Sequence, residues 1–215
     1  GQLKIDYLGD GLPTTPDETL GVFFNTGNTN FGEIATHKST PDFQFDFSEG
    51  GTIEIELDVY RNWWGTLFGV GYDADGDGVV LPPMKYEPTV PDLNLKSNDG
   101  GIYFTTSGKG STDPKFVNGI VLPNNTMPVK FDYDASLGWT RWKIMIDLEA
   151  NDKAGSVTLF ADHGCTGEFQ PIPEIQGIPA GLTPGSGDRF DPAMWDGIFF
   201  LNSSKAAYDN LLVRH

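Results

Sequence analysis

Apolar and polar residues alternate with a period of two along much of this chain, the signature of half-buried strands. Phe43-Gln44-Phe45-Asp46-Phe47 alternates cleanly. After the turn Glu49-Gly50-Gly51, Ile53, Ile55, Leu57 and Val59 interleave with Glu54, Glu56, Asp58 and Tyr60. Such spacing sends the two sets to opposite faces of a strand. Residues 65–72 read as the return strand of a hairpin. Further strands are expected at 102–106, 129–133, 142–148, 156–161, 197–202 and 207–214. In 142–148 the inward set is Trp142, Ile144, Ile146 and Leu148, with Arg141, Lys143 and Met145 on the other face. In 156–161 it is Val157, Leu159 and Ala161.

Turn-rich segments separate these stretches at 13–16, 81–91, 107–114 and 181–188. Helical periodicity never lasts beyond a turn or two, and 149–154 reads as a short turn. No repeat or linker divides the chain. The pattern predicts an all-β, antiparallel, two-sheet β-sandwich of jelly-roll type, with residues 1–215 as one domain.

Composition agrees with short elements joined by many turns, since the 215 residues include 27 Gly and 15 Pro. The formal net charge of −16 opposes nucleic acid and anionic membrane surfaces. No apolar run is long enough for a transmembrane helix, so no membrane insertion is expected. No signal peptide is recognised, and Gly1-Gln2 is compatible with one already removed. With Cys165 as the single cysteine, no internal disulfide can form. Its setting, His163-Gly164-Cys165, reads as an incidental or buried thiol.

Three segments resemble the concanavalin A-like lectin and glucanase superfamily, including its laminin-G-like members. FDFSEGGTIEIELDVYRN (45–62) is similar to an early strand of such domains. GWTRWKIMIDLEANDKAGSVTLFADHG (138–164) resembles their paired strands, where a Trp opens one strand and a glycine turn leads to the next. AAYDNLLVRH (206–215) resembles their closing strand, with its aromatic-Asp-Asn step. The resemblance implies a concanavalin A-like jelly roll on a secreted or cell-surface protein, bacterial extracellular or periplasmic, and allows other domains of a larger protein as its partners. The superfamily houses lectins, glycan-cleaving enzymes and adhesion domains, so fold alone settles no function.

Three constellations carry candidate chemistry. Asp73-Ala74-Asp75-Gly76-Asp77-Gly78 places oxygen ligands at positions one, three and five with Gly at six, like the start of a calcium loop. Position twelve is Met84 rather than Glu, so this is no EF-hand; the bland reading is a solvated acidic turn. The resemblance adds Asp209 as a candidate ligand of a second structural calcium. A local hydrogen bond is the alternative for Asp209.

The stripe Glu54, Glu56 and Asp58 is the best enzyme candidate. Alternate residues on a strand lie about 7 Å apart, and retaining glycosidases hold two carboxyls about 5–5.5 Å apart. The laminarinase and lichenase clan carries Glu-x-Asp-x-Glu, whereas the order here is Glu-Ile-Glu-Leu-Asp, without the Trp that precedes that trio. The competing reading is an acidic, solvent-facing sheet edge.

Aromatics expected in loops form the third constellation: Trp63, Trp64, Tyr86, Trp139 and Trp195, with Arg61 and Asn62 beside the first pair. Rings stack on the CH face of a pyranose while polar neighbours bond its rim. The bland reading is that loop tryptophans plug the ends of the sandwich. The expected function is non-catalytic binding of a polysaccharide or glycan, with structural calcium. The alternatives are a glycan-degrading enzyme using the carboxylate stripe and a laminin-G-like adhesion domain that binds protein.

Overall fold

A computed structural model describes residues 22–25, 34–38, 46–60, 66–74, 100–106, 118–123, 129–133, 138–202 and 205–215. These residues form two antiparallel sheets. The first runs β1 (Val22–Asn25), β13 (Lys205–Arg214), β3 (Thr52–Tyr60), β8 (Trp139–Asp147), β9 (Ser156–His163) and β10 (Gln170–Pro171), with β11 (Ile178–Pro179) also paired to β9. The second runs β2 (Ile34–Lys38), β12 (Gly197–Asn202), β4 (Thr66–Tyr72), β5 (Gly100–Thr106), β6 (Gly119–Val121) and β7 (Val129–Lys130). Among the described residues the only helical element is a 3₁₀ turn at Pro192–Met194. No helix among them is long and apolar enough to cross a membrane.

The register follows the alternation. Ile53, Ile55, Leu57 and Val59 are each at most 1% exposed, and they lie opposite Ile146, Ile144, Trp142 and Thr140 of β8. Trp142, Ile144, Ile146 and Leu148 are buried, as are Val157, Leu159 and Ala161, while Arg141, Lys143 and Met145 face outward and are half-buried. Phe47 is buried; Phe43 and Phe45 lie outside the described residues.

The inner faces of the two sheets share one core. Its centre is aromatic: Phe104 of β5 lies 4.5 Å from the Trp142 ring of β8, and Phe131 and Tyr133 pack on the same indole at 6.0 and 4.8 Å. Offset and tilted pairs of this kind add to plain area burial. Beside it, Gly71 and Gly101 face each other across β4 and β5. A Cβ on either would collide with the opposite backbone, so glycine permits the close approach.

Several expectations need correction. The stripe strand β3 is internal, flanked by β13 and β8, and is no sheet edge. The strand expected at 129–133 covers only Val129–Lys130, with one further backbone bond from the Phe131 N–H to the Asn118 carbonyl at 3.2 Å. Trp139, expected in a loop, is the first residue of β8 and 9% exposed. Trp195 does sit outside a strand, but it is 1% exposed, edge-on to Phe47 at 6.4 Å, and its indole N–H donates to the Arg189 carbonyl at 3.0 Å. It closes one end of the core rather than presenting a face to solvent.

Candidate functional site

The outer face of the first sheet carries the carboxylate stripe, and the register sets its partners. Glu54, Glu56 and Asp58 lie opposite Met145, Lys143 and Arg141 of β8. On the other side, Arg214, Leu212 and Asp209 of β13 oppose the same three residues. Lys143 Nζ bridges Glu56 at 2.7 Å and Glu54 at 3.7 Å; Arg214 pairs with Glu54 and reaches Glu56 at 3.7 Å. Lys143 also lies 4.3 Å from the centre of the Phe169 ring.

Asp58 is the exception to the strand's alternation, being outward-facing yet 0% exposed. Arg141 holds it in a fork, Nε to Oδ1 at 2.6 Å and the second guanidinium nitrogen to Oδ2 at 2.7 Å. Asn210 donates to the same Oδ2 at 2.9 Å. Asn210 sits in a break of the β13 register between Asp209 and Leu212, with φ of 49°. A bulge of this kind re-aims a side chain, and here it turns the amide onto Asp58. The carboxylate holds the Arg141 guanidinium above its usual pKa, against burial, which lowers it.

Next in the row, Asp162 of β9 opposes Arg141 and is 1% exposed. Its carboxylate accepts from the Thr166 N–H and hydroxyl, both at 2.9 Å, and from the Gly167 N–H at 2.7 Å. Burial pushes its pKa up, but those bonds and the Arg141 charge outweigh it and hold the carboxyl below its usual range. The loop so anchored places Cys165 against Asp58. Burial, then the Asp58 charge, pushes this thiol up to about 12. Thiolate is the reactive form, so a thiol probe at pH 8 should react at least about 100-fold more slowly with the folded protein than in denaturant. Equal rates would show that the thiol is neither buried nor held off by the carboxylate.

The remaining candidates divide between two ends of the sandwich. Asp73, just past β4, is 4% exposed, and its N–H donates to Asp196 Oδ1 at 3.4 Å. This end also holds Trp195 and the start of β3. Asp75, Asp77 and Tyr86 lie outside the described residues. Among the described residues no three His, Cys, Asp or Glu side chains converge as a metal-holding group. Asp209 is half-buried opposite Asp58.

Trp139 lies at the other end, where β3 finishes, with its ring 5.5 Å from that of Tyr60 and tilted by 58°. Its indole N–H is buried, with no hydrogen-bond partner among the described residues. Arg61, Asn62, Trp63 and Trp64 follow Tyr60 directly in the chain and lie outside the described residues. The nine residues of β3 span about 25 Å, so Trp139 and Trp195 cannot line one platform.

Sequence reasoning missed Arg141, Lys143 and Asn210 as partners of the stripe, and Asp162 as the neighbour of Arg141. Only cross-strand register brings them there; the outward parity of Arg141 and Lys143 was the available signal. No protein-family model matches the chain, and no curated protein sequence matches it.

Proposed function

We propose that this domain binds a polysaccharide without cleaving it, through the segment Arg61–Trp64 at the end of β3. The supporting observation is the state of the carboxylate stripe: Glu54, Glu56 and Asp58 are each tied to a lysine or arginine. A retaining glycosidase needs one carboxyl kept protonated as the acid and a second free to attack. Here each carboxylate is already engaged by a cationic side chain, and the Asp58 fork leaves it no approach from solvent. The two-sheet sandwich suits the concanavalin A-like resemblance, and on this reading the protein works outside the cell or on its surface.

On the same reading, calcium at the Asp73 turn is structural. The buried Asp73 carboxylate and the nearby Asp196 supply hard oxygens where the loop toward Asp75 and Asp77 begins. Asp73 and Tyr60 lie at opposite ends of the sandwich, and an ion at the Asp73 turn would brace the fold. Asp209 would serve a second structural ion beside the Asp58 row.

The test combines retention on polysaccharide gels with melting. Wild-type protein should be retained and should release no reducing sugar. Trp63→Ala and Trp64→Ala should weaken retention by about tenfold for each ring that stacks. Calcium should raise the melting temperature by mass action, and Asp75→Ala should remove that rise. Turnover dependent on Glu54 or Asp58 would replace this reading with the enzyme. Retention of a protein partner with no response to sugar would replace it with the adhesion domain.

A further inference from the structure

We propose that the Trp139 indole N–H, rather than its ring face, contacts the bound polysaccharide, donating a hydrogen bond to a hydroxyl or ring oxygen. This rests on the polysaccharide reading above and assigns a residue and a bond to it. Buried donors in native proteins are nearly always paired, and each orphan calls for an explanation. Around Trp139 the polar groups of the same outer face are satisfied: Asp58 by Arg141 and Asn210, Asp162 by Thr166 and Gly167. The inward-facing Thr140 hydroxyl likewise meets His163 Nδ1 at 3.2 Å. Among the described residues the Trp139 nitrogen finds no acceptor.

Position supplies the second argument. Trp139 opens β8 directly opposite Tyr60, the last residue of β3, so it adjoins the segment that begins at Arg61. Its ring is 9% exposed and packed on Tyr60, which leaves no face free for a sugar to stack on. Hydrogen bonding is the interaction still open to it. A site built around a buried donor discriminates against ligands that leave that donor unpaired. The nitrogen is covered in this structure, so an acceptor reaches it only as side chains where β3 ends and β8 begins rearrange. Adjustments of this size are common when binding surfaces engage.

The protein has five tryptophans, so its 15N spectrum holds five indole N–H signals. Trp139→Phe identifies one by its loss, and contact with the Tyr60 ring identifies it in wild type if the variant fails to fold. Soluble β-glucan and xylan oligosaccharides are then titrated in. The Trp139 signal should move downfield with slower solvent exchange. Trp139→Phe should bind about tenfold more weakly and lose only the modest stability of trimming a buried indole to a phenyl ring. Movement of other indole signals without that of Trp139, or unchanged affinity in Trp139→Phe, overturns this inference and leaves polysaccharide binding standing. No movement of any signal with any oligosaccharide overturns both.

Discussion

Trp142→Ala should destabilise the protein by about 3–5 kcal/mol, the range for deleting a buried tryptophan. The indole is 3% exposed and touches Phe104 from the facing sheet, so it ties the two layers together. Phe131 and Tyr133 pack on it from the segment after β7. Removing it leaves a cavity walled by aromatic rings, and rigid rings in a two-sheet core collapse poorly into such a space. For a chain of this length each kcal/mol is worth about 2–4 °C in melting temperature. A loss of about 10 °C is therefore expected by calorimetry or urea titration. Trp142→Phe should lose less than half as much, because it retains contact with Phe104. A change under about 1 kcal/mol in Trp142→Ala would show that the sheets do not meet at this ring.

Asp58→Asn should destabilise by about 3 kcal/mol, although it preserves size and shape. The reason is the partner left behind. Arg141 would keep its charge beside a neutral amide, with its side chain only 25% exposed. Breaking one half of a buried pair costs about 3–5 kcal/mol, and the partial exposure of Arg141 places this case at the low end. Replacing both residues, as in Asp58→Leu with Arg141→Met, should recover most of the loss, because no charge remains stranded. Urea midpoints of the two singles and the double close that cycle. If Asp58→Asn melts like wild type, the fork is not a stabilising pair. The enzyme alternative makes a different forecast, since it requires Asp58→Asn to abolish glycan cleavage while leaving stability intact. One variant thus separates a structural carboxylate from a chemical one.

Alternation at a spacing of two residues determined the strand class, the inward and outward sets of β3, β8 and β9, and the turn after β8. Those features are local: burying one face of a strand forces every second residue to be apolar, and that can be counted along the chain. The short strands β1, β2, β6, β10 and β11 were not legible, because two to five residues are too few to show a period, and their pairing is imposed by neighbours. The acidic stripe was legible as three carboxylates on one face, but not as ion pairs. Its partners come from β8 and β13, separated from β3 by some 80 to 160 residues, as in the Arg141–Asp58 and Arg214–Glu54 bonds. The bulge that aims Asn210 at Asp58 likewise depends on the register between β13 and β3. The sequence listed the aromatics without their exposure. Trp139 and Trp195 read as surface rings because turn residues flank them, and tertiary packing buried both at opposite ends of the sandwich. Burial of a large ring is decided by what folds against it, and for these two the covering groups, Tyr60 and Phe47, lie on distant segments of the chain.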